Sequence, residues 1–196
     1  TNSNAVADLT FGLMLAVARN IVSTNRWVHE GRWQTAIGVD VCGKTLGLMG
    51  FGAIAKNVAR RASGFGMKVL AYDPYVKELP EEFQSYVTLC GENEVISGCD
   101  FLSLHLPLND ETRNMISAPQ LASMKAGAYV INAARGGIVN EKDLYEALVS
   151  GHIAGAAMDV SEVEPMAEEN PLRTLDNVII TPHIGMYSKE AIGAVK

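Results

Sequence analysis

Six short apolar runs, bounded by turn residues and alternating with stretches of helical spacing, constrain this chain more than any other feature. They are 45–49 (TLGLM), 68–72 (KVLAY), 101–105 (FLSLH), 128–132 (AYVIN), 153–158 (IAGAAM) and 177–181 (NVIIT). Apolar runs of this length without strict alternation are what strands covered on both faces look like. Helices are expected between them at 53–64, 91–97, 117–124, 140–150 and 188–195. An earlier helix is expected over 4–20, where Val6, Leu9, Leu13, Met14 and Val17 recur at helical spacing behind Ser3 or Asn4 as cap. Strand–helix alternation of this kind predicts an α/β fold, a doubly wound parallel sheet with helices on both faces. No internal repeat or linker interrupts the 196 residues, so one domain over 1–196 is expected.

The turn after the first run reads G-F-G-A-I-A over 50–55. In a dinucleotide fingerprint the first glycine permits a tight turn and the second lets a diphosphate approach the backbone. The third allows close packing of helix on strand, and alanine is an accepted variant there. Gly50 and Gly52 fill the first two places and Ala55 the third. The N–H groups of Ala53 and Ile54, at the positive end of the following helix, are then the diphosphate ligands. Asp73 closes the next strand in "KVLAYDPY", at the spacing from which a carboxylate accepts from the adenosine ribose and repels a 2′-phosphate. It equally suits a turn before Pro74, and both roles can hold together. The combination points to a Rossmann-type domain that takes NAD rather than NADP.

Charge and cysteine content narrow the partners. A net charge of −6 without a Lys/Arg cluster argues against a nucleic-acid partner. Cys42, Cys90 and Cys99 are odd in number and lack metal-site spacing, so no metal is expected. Free thiols in a reducing, cytoplasmic setting are the simpler reading. "TNSNAVADLT" has no basic leader region, and "LMLAVA" is far too short to span a bilayer, so no membrane partner is expected.

Hydride transfer to a keto acid needs a cation for the substrate carboxylate, a proton donor, and a group that tunes the donor. The strand ends late in the chain offer all three. Arg135 in "INAARGGIVN" has a guanidinium fork suited to a carboxylate, although one arginine in a loop can equally be a surface residue. Glu164 lies in "MDVSEVEP" and His183 in "TPHIG". A lone loop histidine is more often a satisfied polar group than a catalyst. Beside a carboxylate, its imidazolium is favoured and it can donate a proton near neutrality. His105 stays open as a core histidine or a cleft residue.

Taken in order, "GFGAIA…YDP…LHLPL…NAARGG…MDVSEVEP…TPHIG" resembles the nucleotide-binding domain of the D-isomer-specific 2-hydroxyacid dehydrogenases over essentially the whole chain. The resemblance implies an NAD-dependent oxidoreductase acting on a small 2-hydroxy or 2-keto acid. It puts Arg135 on the substrate carboxylate and carbonyl, His183 as acid/base and Glu164 as its partner. It places Gly50, Gly52, Ala53 and Ile54 at the diphosphate and Asp73 at the ribose. Leu106 and Pro107 would flank the adenine side, with Thr112 nearby. Ala133, Ala134 and Arg135 would meet the nicotinamide end, which Asp159, His183 and Gly185 would close. For Asp159 a plain strand-end turn is the other reading.

The opening helix also resembles the start of that domain. The stretch through Trp27 and Trp33, within about 4–40, would be an arm against a second subunit of a homodimer, intrachain packing being the alternative. The resemblance further implies a longer parent, whose substrate-domain segments flank this one and without which turnover would be poor. Departures from the pattern are Ala55 for glycine, Ser161 where an aromatic is common, Asn140 for an acid and Met186 for alanine. "SGHIAGAAMDVSEVEP" and "HIGMYSKEA" look most like the 3-phosphoglycerate branch, which would place the parent in serine biosynthesis. Glyoxylate/hydroxypyruvate and D-lactate branches stay open, as does an NAD-sensing corepressor-like role. A formate substrate is disfavoured, since that branch pairs its histidine with glutamine.

Overall fold

In the computed structural model, which describes residues 2–193, seven parallel strands form one sheet in the order β3-β2-β1-β4-β5-β6-β7. In chain order the elements are α1 (Ser3–Ala18), α2 (Ile21–His29), β1 (Thr45–Met49), α3 (Ala53–Gly64), β2 (Lys68–Tyr72), β3 (Val87–Leu89) and α4 (Glu92–Gly98). There follow β4 (Phe101–Leu104), α5 (Ala118–Ser123), β5 (Ala128–Asn132), α6 (Glu141–Val149), β6 (Ile153–Met158), β7 (Val178–Ile180) and α7 (Lys189–Gly193). The order reverses between β1 and β4, the position where open α/β sheets form a crevice at the strands' carboxyl ends. The expected doubly wound sheet is therefore what the chain builds.

Two apolar layers flank the sheet. On one face α1 and α3 bury Phe11, Leu13, Met14, Val58 and Ala62 over Leu46, Leu48 and Val69. On the other, Val95, Ile96, Leu121, Leu144 and Leu148 of the opposite helices cover Leu102, Leu104 and Val130. Each such large side chain contributes about 1.5–3 kcal/mol when taken fully out of water. The closeness of α1 depends on Gly155, where an added Cβ would come within 2.9 Å of Val17 Cγ2.

The structure departs from the sequence expectations in four places. The helix expected over 4–20 begins behind Asn2, which makes no side-chain cap, and ends at Ala18. Asn20, at φ +54°, then bends the chain by 66° into α2, which lies within the segment expected as arm. Strand β3 pairs with β2 at the sheet edge, where its three residues carried no periodic signal. The final helix, expected over 188–195, is Lys189–Gly193, and the rest of that expectation lies outside the described residues.

Candidate cofactor and acid–base site

The turn after β1 is built from its two glycines. Gly50 sits at φ +93°, and a Cβ there would lie 2.6 Å from His105 O, so only glycine lets the chain pass the end of β4. Its N–H donates to Tyr72 O at 2.7 Å. Gly52 is extended, begins α3 without a side-chain cap, and has no heavy atom within 4 Å of a built Cβ. The first-turn N–H groups, those of Ala53 and Ile54 among them, have no carbonyl partner within the helix, and the helix dipole lies behind them. Ala55 is completely buried, so its methyl is accommodated in the core and leaves the turn itself alone.

Asp73 performs the turn role left open for it and adds a tie between strands. Its Oδ2 accepts from Phe51 N–H at 2.8 Å and its Oδ1 from Tyr75 N–H at 2.9 Å. The half-buried carboxylate retains further acceptor capacity next to the glycine turn. Leu106 closes over Gly50, its Cδ2 falling 3.1 Å from the built Cβ. Pro107 is exposed, and its carbonyl accepts from Thr112 Oγ1 at 2.7 Å. Thr112 itself is buried and its hydroxyl is turned into the 107–112 loop, where Asn109 N–H donates to it at 2.9 Å. His105 is partly buried just past the end of β4: its Nε2 lies 2.8 Å from Ser103 Oγ, and desolvation pushes its pKa down to about 4.

The ends of β5, β6 and β7 bring Arg135, Glu164 and His183 into one neighbourhood. Asn132, completely buried at the end of β5, accepts from Ala134 N–H and donates to Arg135 O, both at 3.0 Å. That double tie turns Ala133 and Ala134 and leaves the Arg135 side chain exposed, with one guanidinium N–H on Ala134 O at 2.7 Å. Gly136 then presses on the next loop, where a Cβ would lie only 1.8 Å from Ser161 O. Ser161 N–H donates to Glu164 Oε1 at 3.1 Å, while Glu164 Oε2 receives His183 Nδ1 at 2.8 Å. Partial burial pushes the Glu164 carboxyl up. Hydrogen bonds from His183 and Ser161, with the positive charges of His183 and Arg135, outweigh that and hold it below the ordinary glutamate range.

His183 is one of three non-glycine residues in the left-handed region among the described residues, at φ +55°. Asp159 is what holds that shape. It is 1% exposed, and its Oδ1 accepts from Thr181 Oγ1 at 2.6 Å and Ile184 N–H at 2.9 Å, its Oδ2 from Gly185 N–H at 2.8 Å. The strand-end turn reading of Asp159 is thus present in the structure. With Nδ1 directed at a carboxylate, Nε2 is the imidazole nitrogen left for proton exchange. A cleft of about 810 Å³, lined by Asp159, Glu164, Met166, Leu172, Ile180 and His183, opens beside the pair.

Asn132, Gly136 as an obligatory contact, and Glu141, which binds Ser161 Oγ at 2.8 Å, were not singled out in the sequence. An Asn at a strand end before a glycine-bearing loop signals an Asx turn, so Asn132 was within reach. The partners of Gly136 and Glu141 carry no local signal. Asn140, the departure from an acid, caps α6 by accepting from Asp143 N–H at 3.0 Å.

Residues 11–185 match the family model "D-isomer specific 2-hydroxyacid dehydrogenase, NAD binding domain". The chain is 46% identical over 192 residues to a D-3-phosphoglycerate dehydrogenase of Methanocaldococcus jannaschii, covering 97% of this chain and 36% of that protein. It is 47% identical over 193 residues to a hydroxypyruvate reductase of Thermotoga maritima, covering 95% of this chain and 61% of that one. The chain thus spans between about a third and three-fifths of the length of these relatives. Among solved structures, D-lactate dehydrogenase with NAD+ from Lactobacillus jensenii superposes with a TM-score of 0.86 at 32% identity, over 97% of this chain and 62% of that one.

Proposed function

From the premise that this chain belongs to the D-isomer specific 2-hydroxyacid dehydrogenase family, as its NAD-binding domain, we propose that it serves hydride transfer between nicotinamide and a D-2-hydroxy acid. The observation that carries the reading is the His183–Glu164 contact at 2.8 Å beside an exposed arginine. NAD, when bound, supplies the hydride acceptor. The residues fit such a group: an uncapped helix start, an open Gly52 and a carboxylate at the end of the neighbouring strand. In this reading Ala53 and Ile54 N–H groups hold the diphosphate, and Asp73 takes the adenosine ribose and disfavours a 2′-phosphate. Leu106 and Pro107 flank the adenine side, with Thr112 bracing their loop. Ala133, Ala134, Gly185 and the backbone ordered by Asp159 form the nicotinamide end.

The chain's own groups handle the proton and the charge. Arg135 grips the substrate carboxylate and polarises the adjacent carbonyl. His183 Nε2 takes the hydroxyl proton during oxidation and returns it during reduction. Glu164, kept ionised below the usual range, accepts the Nδ1 proton and stabilises the imidazolium that forms.

Our first candidate substrate is 3-phosphoglycerate, a serine-forming role, with glyoxylate or hydroxypyruvate as competitors; the relatives named above are a D-3-phosphoglycerate dehydrogenase and a hydroxypyruvate reductase. A cytoplasmic homodimer is part of the same reading. Trp33 and Ile37 are 90% and 101% exposed, and Ile21 and Val28 of α2 are exposed as well, apolar side chains that a second copy would cover. The test is NADH oxidation, by the polypeptide carrying this domain, with phosphohydroxypyruvate, hydroxypyruvate, glyoxylate and pyruvate. His183→Ala should lower kcat by at least about 100-fold while NAD affinity stays nearly intact; unchanged kcat removes the histidine's role.

A further inference from the structure

We propose that Glu141 is a positioning residue for the acid–base pair: its buried carboxylate fixes the loop that carries Glu164 and so sets the reach of Glu164 to His183. The inference rests on the reading of that pair given above. Glu141 is the first residue of α6, 8% exposed. Its Oε1 accepts from Ser161 Oγ at 2.8 Å and Glu162 N–H at 2.7 Å, and its Oε2 from Asn170 Nδ2 at 2.6 Å. Its own N–H donates to Glu162 Oε1 at 2.9 Å. One side chain therefore ties the start of the loop between β6 and β7 to Asn170, further along the same loop.

No ion pair to Glu141 forms among the described residues. Three donors and the N-terminal dipole of α6 offset the charge instead. A buried carboxylate without a cation is an expensive way to staple a loop, since an apolar side chain would avoid its desolvation. What the carboxylate provides and an apolar group cannot is direction. Ser161 transmits it: the hydroxyl is held by Glu141 while the N–H of the same residue is aimed at Glu164 Oε1, 3.1 Å away. Glu164 is then gripped from two sides, by Ser161 on Oε1 and by His183 on Oε2. The charged groups acting on Glu164 are His183 and Arg135, with Glu162 and Glu141 in the same loop network.

The experiment follows the Glu164 side-chain carboxyl by 13C NMR during a pH titration of the chain, with NAD titration as a control. In Glu141→Ala the Glu164 midpoint should move up toward the ordinary glutamate range. Ser161→Ala should move it the same way by less, and Glu141→Gln, which keeps an oxygen for Ser161 and Glu162, should stay near the parent value. NAD affinity should change by less than about threefold throughout. A folded Glu141→Ala or Ser161→Ala chain whose Glu164 titrates as in the parent overturns the proposal; if Glu141→Ala does not fold, Ser161→Ala decides. His183→Ala separates the two levels. If it leaves the Glu164 midpoint in place, the acid–base reading falls and this inference with it. If it moves the midpoint while the folded Glu141 and Ser161 variants do not, only the positioning role is lost.

Discussion

Replacing Gly136 by alanine adds a single methyl at the point where the β5 loop touches the β6 loop. The new Cβ would lie 1.8 Å from Ser161 O and 2.4 Å from Ser161 C, both backbone atoms that cannot rotate away. Ordinary contact begins near 3.4 Å, so the two loops must part by about 1.6 Å. The hydrogen bonds beyond that contact have no such slack, with Ser161 Oγ–Glu141 at 2.8 Å and Ser161 N–Glu164 at 3.1 Å. If Ser161 yields, Glu164 loses its backbone donor; if residue 136 yields, the Arg135 backbone held by Asn132 moves instead. Overpacking of this kind costs about 1–3 kcal/mol, and this site belongs at the upper end because both sides are main chain. For a domain of this size that is a fall in Tm of roughly 5–10 °C. Thermal unfolding by circular dichroism measures the loss, and NAD titration should show affinity much less affected than stability. A Gly136→Ala chain with parent Tm and an unmoved Glu164 titration would refute the claim that this contact joins the two halves of the site.

Gly50→Ala should cost both the fold and the cofactor: its Cβ meets His105 O at 2.6 Å and its φ is +93°, so Tm should fall and isothermal titration should show NAD binding weakened by about tenfold or more. Asp159→Asn keeps two acceptor contacts but turns an amide toward Gly185 N–H, costing about 2–3 kcal/mol; urea unfolding checks this, with His183 displaced from its left-handed backbone. Asp73→Ala should weaken NAD and narrow its preference over NADP, and an unaltered cofactor ratio would tell against a ribose contact. Stability should also respond to His105, whose pKa is about 4 folded against 6.5 as the ordinary value. Between those values only the unfolded chain takes up the proton, so the contribution is complete above pH 6.5 and disappears as pH falls through about 4. It is to be read as a drop in urea midpoint from pH 7 to pH 4 that His105→Gln makes smaller, the carboxylates held below their ordinary range accounting for the rest.

Features written in adjacent residues could be read without coordinates. Apolar runs placed six of the seven strands, and strand–helix alternation dictated that they run parallel, because antiparallel hairpins need no helix between them. The Gly50 turn was equally legible, since strand, glycine pair and helix are contiguous. The family motifs pointed to Arg135, Glu164 and His183, but not to what orients them. That was decided by contacts between residues some 20 or more positions apart: Glu141 with Ser161, Gly136 with the Ser161 carbonyl, Asp159 with the 181–185 loop. Helix α2 belongs to the same class. Its Ser23 is its single buried residue, and it is anchored to Asp176 by Ser23 Oγ at 2.9 Å and Arg26 at 2.7 Å. Local propensity records how a segment prefers to bend. It holds no record of which distant carboxylate or carbonyl a folded neighbour will bring against it.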